Sequence, residues 1–462
     1  MYKLRPYQQR AINDIDDFIT NSTAKNGLVV APTGAGKSLY VSELARKYDR
    51  ILCLQPSKEL LQQNYAKYVA YPDVEPACIY SASLGSKNIG NVTFGTPKSV
   101  FNAVEDFKKH KFDYIVIDEA HYGAKKGTQI HKLVKQLNPK KVIGLTATPV
   151  YLSSFNGVAT LKMMNRSMDS MFRKIIHVTQ IQELVEQGFW SKLVYDNRHV
   201  DDSMLEYNSI GSDYTISSLV AMYEKNNTHE NIINEVDYLQ KEGRKSILIF
   251  VPSIHEANTL ASCIRGAEAV SADTKPKERD RIVNGFTSGN IPVVINCNVL
   301  ATGFDFPELS AIIHARATNS MAIWYQTVGR GVRIAKGKKD CKIVDFSGNS
   351  VKFGKVENLE FCELEHYGWG MFAKDRLLSG IPLMDELTTT KQDLVQRAVQ
   401  EARLDRGTEF TFGKYKGKTI IEVYRTDPRY LMWVTSEKFE PFNAATRNLK
   451  KNAAEFIKSQ LL

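Results

Sequence analysis

Short apolar runs alternate with helical patterns along the first 150 residues of the chain. The runs contain four to six residues rich in Val, Ile, Leu or Phe, and they occur in "NGLVV", "RILCLQ", "NVTFG", "FDYIVIDE" and "KKVIGLT". Strands that are buried on both faces of a parallel sheet have this pattern. The pattern therefore predicts an α/β domain whose polar turns lie at the carboxyl ends of the strands, where open α/β sheets bind ligands.

A second series of apolar runs begins near residue 245 and comprises "KSILIFVPS", "AEAVSADT", "IPVVINCN", "LSAIIHAR" and "CKIVDFSGN". It predicts a second parallel α/β domain. The predicted divisions are 1–195 for the first domain with its connector, 196–355 for the second domain, 356–390 for a linker or extension, and 391–462 for a small basic module.

The charge of the chain adds a preference for polyanions. Its net charge is +10, and residues 391–462 hold 14 Lys plus Arg against 9 Asp plus Glu, so this module supplies half of the positive excess. No apolar run of about 18 residues and no signal-peptide pattern occurs, so we expect a cytoplasmic protein. The six cysteines are scattered singly, without a C-x-x-C pair, so we expect reduced and inert thiols.

The turn after the first apolar run has the pattern of a phosphate-binding loop. "APTGAGKS" spans residues 31–38 between a predicted strand and a predicted helix, which is the context that such a loop requires. Backbone N–H groups would face the phosphates, Lys37 would supply charge, and the Ser38 hydroxyl would bind Mg²⁺. The candidate nucleotide-binding residues here are Thr33, Gly34, Ala35, Gly36, Lys37 and Ser38. Alanine stands at position 31 where the strict pattern has glycine.

Two further groups suit ATP hydrolysis. "YIVIDEAH" ends a predicted strand in Asp118, suited to hold Mg²⁺, and Glu119, suited to polarise the attacking water. "QTVGRGVR" places Gln326, Arg330 and Arg333 at helical spacing, so that they would share one face and reach the γ-phosphate from the second domain. A solvated basic helix face is the alternative interpretation of this second pattern.

These motifs occur in the order found in superfamily 2 helicases and translocases. The order is "RPYQ", "APTGAGKS", "LQPSKEL", "FGTP", "DEAH", "TATP", "ILIFVPS", "LATGFDFP" and "QTVGRGVR", over residues 5 to about 350. The chain resembles the DEAH-box type with two RecA-like domains, most closely phage-encoded branch-migrating DNA helicases and more distantly restriction-enzyme motor subunits. The resemblance implies ATP and Mg²⁺ as cofactors.

The resemblance also implies roles for further residues. Arg5 and Gln8 would read the adenine, and Gly303 and Asp305 would lie near the ribose. His121, Thr146 and Thr148 would couple the nucleotide site to strand binding. The residues implied in nucleic-acid binding are Pro56, Ser57, Lys58, Gly95, Thr96, Ser253 and Thr302, which are mostly small residues suited to gripping phosphates without reading bases.

The expected function is an ATP-dependent helicase or translocase that remodels single-stranded, forked or branched DNA in replication, recombination or repair. We expect it to act as a monomer with replication or recombination proteins as possible partners, in the host cytoplasm if it is phage-encoded. An RNA helicase, a restriction-complex motor and a nucleotide-gated scaffold that hydrolyses nothing remain alternatives.

A second glycine-lysine stretch, "FTFGKYKGKT" at residues 410–419, is one residue too short between its glycines for a phosphate loop. An extended turn would place Lys414, Lys416 and Lys418 on one side as a DNA clamp, with Tyr415 on the other. Tyr430 and Trp433 could then stack on bases or belong to a core. The stretch with its downstream sequence resembles a small module at the ends of some DNA-processing exonucleases. A solvated hairpin is the alternative interpretation.

Overall fold

The computed structural model divides the chain into two compact units. The described residues are 3–123, 125–155, 158–167, 169–209, 213–299, 306–364, 368–380, 389–394, 409–437 and 439–461. The first unit comprises residues 1–361, 371–374 and 378–386, and the second comprises residues 362–370, 375–377 and 387–462.

The first domain of the first unit is built on a large sheet. Its strands and those of a following hairpin are β1 (Asn26–Val30), β2 (Ile51–Leu54), β3 (Ala77–Ser81), β4 (Ser86–Lys87), β5 (Val92–Gly95), β6 (Tyr114–Ile117), β7 (Lys141–Thr146), β8 (Val150–Phe155), β9 (Val158–Met163) and β10 (Lys174–Val178). Eight described strands form the sheet in the order β10-β1-β7-β6-β2-β5-β3-β4, and β8 pairs with β9 in an antiparallel hairpin. All pairs in the sheet are parallel except β3 with β4.

The helices of this domain follow the strands in the βα rhythm that parallel pairing requires. They are α1 (Pro6–Asn21), α2 (Lys37–Lys47), α3 (Lys58–Val69), α4 (Pro97–Asn102), α5 (Val104–His110), α6 (Gln129–Leu137) and α7 (Ile181–Glu186), with short 3₁₀ turns at Ala82–Leu84, Ala120–Tyr122 and Met164–Arg166.

The second domain of the first unit has its own parallel sheet. Its strands are β11 (Lys192–Asn197), β12 (Ile247–Phe250), β13 (Ala267–Val270), β14 (Val293–Asn296), β15 (Ala311–His314) and β16 (Asp340–Asp345), in the order β11-β16-β15-β12-β14-β13. Its helices are α8 (Ile216–Lys225), α9 (Thr228–Lys241), α10 (Ile254–Cys263), α11 (Pro276–Thr287), α12 (Met321–Val328) and α13 (Asn349–Phe353), followed by a 3₁₀ turn at Val356–Asn358.

The predicted fold class is confirmed, and each apolar run quoted above contains a strand of one of the two sheets. Most of these strands are buried along their length, as in β2, β12 and β15, because both faces of each sheet are covered, whereas β13 at the edge of its sheet is only half-buried. Parallel pairing places the carboxyl ends of the strands at one edge, for example Leu54 beside Gly95 and Ile117. The candidate motifs follow these ends.

The predicted divisions differ from the structure in two places. Residues 192–195, predicted to close the first domain, belong to β11, which pairs with β16 of the second sheet. The predicted linker of residues 356–390 contains the strands β17 (Leu359–Leu364), β18 (Gly368–Ala373) and β19 (Arg376–Leu377). Both stretches lack the continuous apolar runs that predict β1, β2, β5 to β7 and β12 to β16.

The second unit carries a small helical module. After a 3₁₀ turn at Gly413–Tyr415 come α14 (Ile420–Thr426), α15 (Pro428–Thr435) and α16 (Ala444–Leu461). Thr419 and Glu422 form a capping box on α14, and Asp427 caps α15. The core of the module includes Phe410, Val423, Leu431, Val434, Leu449 and Phe456.

Two expectations from composition can be set against the structure. No helix in the described ranges is both long and apolar enough to cross a bilayer. All six cysteines lie in the described ranges and none forms a disulfide; Cys53, Cys297 and Cys341 are buried, whereas Cys263 is exposed.

Candidate functional site

The predicted phosphate loop connects β1 to α2. Gly36 precedes the first residue of α2 and has a left-handed backbone with φ of 90°. A Cβ at this position would lie 2.5 Å from Nε2 of Gln8, so the loop depends on glycine for its conformation and for this close approach. Lys37 begins α2, and its Nζ lies 3.4 Å from Oε1 of Glu119. The loop thus presents the helix N-terminus and an ammonium to the same space.

The predicted acidic pair follows β6 directly. Asp118 is buried, and its carboxylate accepts hydrogen bonds from Nδ2 of Asn64 at 3.1 Å and from the backbone N–H of Glu119 at 3.0 Å. Burial, reinforced by the charge of Glu119, raises the pKa of Asp118 to about 6. Burial also acts to raise the pKa of Glu119, but the ammonium of Lys37 outweighs it and the net shift is downward. A negative charge is therefore held on Glu119.

The backbone of Glu119 is itself unusual. Its φ of 48° and ψ of 50° lie in the left-handed region, which residues other than glycine rarely occupy. Such strained positions cluster at functional sites. The turn directs the chain from β6 into the 3₁₀ turn that carries His121.

The helical spacing predicted for the arginines of the second domain is wrong. Gln326 lies on α12, but this helix ends at Val328, and Arg330 and Arg333 follow it in turns and irregular chain. The two glycines of "GRGVR" are poor helix formers, which accounts for the early end. The three side chains nevertheless line one cavity. Burial lowers the pKa of Arg330 and of Arg333 to about 10.

That cavity joins the motifs of both domains. Its volume is about 250 Å³, and its lining residues are Pro32, Thr33, Gly34, Gly36, Lys37, Ser38, Leu60, Gln63, Lys67, Asp118, Glu119, Gln326, Arg330 and Arg333. Whole small-molecule sites typically measure about 300 to 1,000 Å³, so this space suits the polyphosphate part of a nucleotide. Ser38 and Asp118 both face it, and hydroxyl and carboxylate oxygens are ligands that Mg²⁺ prefers. The donor set therefore fits the expected metal.

A hydrogen-bond network connects the 3₁₀ turn that follows the acidic pair with Thr146 in the first domain and with Gln326 in the second. Nδ1 of His121 lies 2.8 Å from Oγ1 of Thr146, which also accepts the backbone N–H of Thr148 at 3.0 Å. Nε2 of His121 lies 3.4 Å from Nε2 of Gln326, whose Oε1 accepts the hydroxyl of Tyr122 at 2.9 Å. Burial lowers the pKa of His121, although Glu119 opposes the shift. His121 thus contacts Gln326 of α12 on one side and Thr146 on the other, and Thr148 joins this network through its backbone N–H.

Several site residues lie outside the predicted set. The hydroxyl of Tyr325 accepts the backbone N–H of Thr33 at 3.3 Å, and Nε1 of Trp190 donates to the Thr33 carbonyl at 3.1 Å. Asn64 and Lys67, three residues apart on α3, reach Asp118 and the cavity respectively. The only feature of the local sequence that could have indicated their role is that two polar residues lie three positions apart on a helix. A solvent-exposed helix face shows the same spacing. The contacts of Trp190 and Tyr325 bridge distant parts of the chain, so no local pattern predicts them.

The residues predicted to read the nucleoside are only partly described. The guanidinium of Arg5 lies 4.0 Å from the ring centroid of Phe189. Gln8 is buried; its Oε1 accepts the Arg5 N–H at 2.9 Å and its Nε2 donates to the Ala35 carbonyl at 2.8 Å. Gln8 is therefore bonded to the phosphate loop. Gly303 and Asp305, and Thr302 among the nucleic-acid residues, lie outside the described residues.

The other predicted nucleic-acid residues lie after strand ends. Ser57 and Ser253 are the N-caps of α3 and α10, and each hydroxyl accepts a backbone N–H of its helix. Thr96 precedes α4 and donates to Oγ of Ser99 at 2.9 Å. The remaining predicted residues are Pro56, Lys58 and Gly95, of which Gly95 ends β5. The hydroxyls thus have local capping roles, and the positions still lie at the ligand-binding edge of each sheet.

The basic loop of the second unit differs from its prediction. Residues 413–415 form a 3₁₀ turn and not an extended segment, so the three lysines do not alternate along a strand. Nζ of Lys414 lies 2.8 Å from Asp427, and Nζ of Lys418 lies 3.1 Å from Glu422. Lys416 is exposed and makes no ion pair within the described part of the chain.

The aromatic residues of the module divide between core and surface. Tyr430 packs against the core, whereas Met432, Trp433 and Phe442 are 62%, 41% and 66% exposed. Ring contacts run from Trp433 through Phe439 and Phe412 to Phe442, with centroid separations of 5.1, 5.2 and 5.4 Å. These contacts pass through the buried ring of Phe439, so Trp433 and Phe442 are the exposed ends of one aromatic cluster.

Family comparisons agree with this arrangement. Residues 1–151 match the model of the type III restriction enzyme res subunit, and residues 225–335 match the helicase conserved C-terminal domain. These two matches agree with the two parallel-sheet domains and with the order of superfamily 2 helicase motifs along the chain. Residues 410–436 match the exodeoxyribonuclease X-like C-terminal model, in agreement with the resemblance noted for the basic loop.

Among particular proteins, the chain is distantly similar to IRC3 of Saccharomyces cerevisiae, a provisionally named ATP-dependent helicase. The identity is 24% over 370 residues, which cover 75% of this chain and 52% of IRC3. A 51.5 kDa protein of a Lactococcus phage is 23% identical over 69% of this chain and 65% of its own length. The match to the IRC3 protein of Schizosaccharomyces pombe covers 57% of that protein, so this chain spans little more than half the length of these two relatives.

Solved structures show the same fold. A fragment of a provisionally identified HsdR subunit of a type I restriction enzyme from Vibrio vulnificus has a TM-score of 0.57 at 18% identity, over 77% of this chain and 66% of that one. The type ISP restriction-modification enzyme LlaBIII, solved bound to DNA, has a TM-score of 0.55 at 17% identity, over 75% of this chain and 28% of that one.

Proposed function

We propose that this chain is an ATP-dependent DNA helicase or translocase that remodels forked or branched DNA. The observation that carries the proposal is the single cavity that brings Lys37, Glu119, Arg330 and Arg333 together from two α/β domains. Phosphoryl transfer depends on positioning and on charge stabilisation, and this cavity offers a helix N-terminus, cations and a carboxylate in one place.

In this proposal each side chain has a distinct task. Lys37 and the N–H groups of the loop hold the β- and γ-phosphates, and Glu119 orients the attacking water. Arg330 and Arg333 stabilise charge on the γ-phosphate, a contribution of about 10³- to 10⁵-fold in rate in related enzymes. Ser38 and Asp118 would hold Mg²⁺, which when bound neutralises developing phosphate charge.

Movement on nucleic acid would follow from the network around His121. Occupancy of the cavity alters the contacts of Glu119, and His121 relays this to Thr146 on one side and to Gln326 on the other. Opening and closing of the cleft would change the spacing between the strand-end residues of the two sheets. Such nucleotide-driven closure is a known switching mode.

DNA is the proposed substrate because the sequence resembles phage branch-migrating DNA helicases and because restriction-enzyme motors share the fold. An RNA helicase remains the second candidate, since proteins named as RNA helicases also match, such as DBP2 of Candida glabrata at 19% identity over 79% of this chain. Comparing ATP hydrolysis stimulated by single-stranded DNA with that stimulated by RNA separates the two. Stimulation by RNA alone would contradict the DNA assignment.

Lys37 is expected to be essential for ATP hydrolysis. Lys37→Ala should abolish nucleic-acid-stimulated ATP hydrolysis and leave passive DNA binding largely intact, because the ammonium faces the phosphates and not the strand-end residues. Steady-state hydrolysis and DNA binding without nucleotide measure the two properties. Lys135→Ala, an exposed change on α6, serves as the control. Retained hydrolysis in Lys37→Ala would remove the site assignment.

The remodelling activity is tested on substrates of defined shape. Strand displacement on single-stranded, duplex, forked and four-way DNA should be greatest for the forked or four-way forms. Equal activity on a simple tailed duplex would favour plain unwinding, and ATP-driven motion without displacement would favour a restriction-type translocase.

We propose further that the module in the second unit holds DNA. Its net positive charge and the exposed rings of Trp433 and Phe442 offer phosphate attraction together with base stacking. Lys416 is the best placed of the three predicted lysines, because Lys414 and Lys418 already pair with acidic side chains.

A further inference from the structure

The chain that carries Arg330 and Arg333 has no regular structure to hold it. It leaves α12 at Val328 and reaches β16 only at Asp340. Carbonyl groups along such a segment do not receive the repeating N–H bonds of a helix or a sheet. Arginines that must meet a γ-phosphate need a fixed backbone, so something outside regular secondary structure has to supply it.

The ammonium of Lys338 supplies three of the N–H donors that a helix or a sheet would otherwise provide to backbone carbonyls. Nζ of Lys338 donates to the carbonyls of Gly331 and Arg333, both at 2.8 Å, and to that of Pro307 at 2.9 Å. An ammonium has three N–H groups, so its full donor capacity is directed at backbone oxygens. Gly331 follows Arg330 directly, so two of the three bonds fix the chain immediately beside the two arginines.

The third bond extends the connection. Pro307 precedes β15, and it follows closely on the segment that contains the predicted Gly303 and Asp305. Lys338 therefore joins the arginine segment to a second segment that the motifs predict to reach the nucleotide.

The environment of Lys338 agrees with a fixed role. Lys338 is half-buried, and this burial lowers the pKa of its ammonium. Its neighbours Lys336 and Lys339 on the same stretch are exposed. Of these three nearby lysines, only Lys338 donates to the backbone of the arginine segment.

We propose that Lys338 is a positioning residue for ATP hydrolysis, which fixes Arg330 and Arg333 against the γ-phosphate and acts through them alone. This inference rests on the proposed function. It adds a residue that lies outside the predicted motifs and does not line the nucleotide cavity.

The direct experiment is Lys338→Met in the full chain, which keeps the length of the side chain and removes its donors. The kcat for DNA-stimulated ATP hydrolysis should fall about 10- to 100-fold, as expected when catalytic groups are displaced by about 1 Å. The KM for ATP should change much less, because Lys37 and the phosphate loop are untouched. Lys339→Met is the matched control and should retain wild-type kcat. A wild-type kcat in Lys338→Met would overturn the proposal.

A double-mutant cycle separates positioning from general stability. Adding Lys338→Met to Arg330→Ala should cause little further loss of kcat, since the first change acts through the arginine already removed. Independent losses that multiply would show that Lys338 acts elsewhere and would overturn the proposal. Should Lys338→Met fail to fold, the same cycle is run with Lys338→Gln, whose shorter polar chain reaches fewer carbonyls.

Comparing Arg330→Ala with wild type distinguishes a failure of the proposed function from a failure of the role proposed for Lys338. If Arg330→Ala hydrolyses ATP normally, the proposed arginine role fails, and with it the basis for Lys338. If Arg330→Ala is impaired and Lys338→Met is not, the proposed function stands and only the positioning role is lost.

Discussion

The side chains that line the nucleotide cavity carry an excess of positive charge. Lys37, Lys67, Arg330 and Arg333 face Asp118 and Glu119. Burial lowers the pKa of Lys67, and the nearby guanidinium of Arg333 adds to the shift. Like charges confined in a partly buried space repel one another, and a polyanion would relieve that repulsion. Residue by residue, the cavity is therefore suited to a triphosphate more than to a neutral ligand.

A buried histidine of the second domain predicts how stability depends on pH. Burial lowers the pKa of His314 to about 4, and its Nδ1 lies 3.2 Å from Oγ of Ser347. The unfolded state, with an ordinary histidine pKa near 6.5, binds the proton first as pH falls. The buried neutral His314 therefore makes its full contribution to the free energy of unfolding above about pH 6.5. As pH falls toward 4, the free energy of unfolding decreases by on the order of 2 to 3 kcal/mol.

Unfolding by denaturant between pH 4 and pH 7 measures this contribution. His314→Gln should be less stable at neutral pH and should show a shallower loss of unfolding free energy on acidification. The exposed His255 on α10 provides the control variant His255→Gln, which should keep the wild-type slope. An unchanged slope in His314→Gln would contradict the assignment.

At the scale of elements, the stretch between α12 and β16 is packed closely against its own sheet. A Cβ at Gly331 would lie 2.7 Å from Sγ of Cys341, which is fully buried on β16. Gly331→Ala should therefore move the arginine segment, lower kcat for ATP hydrolysis, and cost about 1 to 3 kcal/mol of stability by overpacking. Cys341→Ala should partly restore both in the double variant. Additive losses in that double variant would argue against this steric cause.

Elements and sites differ in how far the sequence predicts them. The runs "ILCL" and "ILIF" predict strands because a strand buried on both faces is apolar throughout. β11 was not recognised, because its sequence "KLVYDN" mixes polar with apolar residues at the edge of the sheet. The phosphate loop is local and therefore predictable. The contacts of Lys338 with Pro307 and of Tyr325 with Thr33 depend on the folded chain and leave no sequence pattern.

At the scale of the whole molecule, positive charge is shared between the two α/β domains and the module, and ion pairing decides how much of it is available to the proposed DNA substrate. Residues 391–462 carry 14 Lys plus Arg against 9 Asp plus Glu, but two lysines of the basic loop are engaged within the module. An ammonium that already has a carboxylate partner releases fewer counterions when it meets a phosphate. The number of lysines in the module therefore overstates the electrostatic contribution that the module is expected to make to DNA binding.

Among the three lysines of the basic loop, we expect Lys416 to contribute most to the salt dependence of DNA binding, because Lys414 and Lys418 are paired with acidic side chains. Lys416→Ala should reduce the slope of log K against log salt for single-stranded DNA by about 0.7, the value for one phosphate contact, and should leave basal ATP hydrolysis unchanged. Lys418→Ala is the matched control; it should change the slope less, because Lys418 is paired with Glu422. Fluorescence anisotropy with the full chain over a series of salt concentrations measures both slopes. Equal slopes for wild type and Lys416→Ala would place the DNA-binding surface of the module elsewhere, with the exposed rings of Trp433 and Phe442 as the next surface to test.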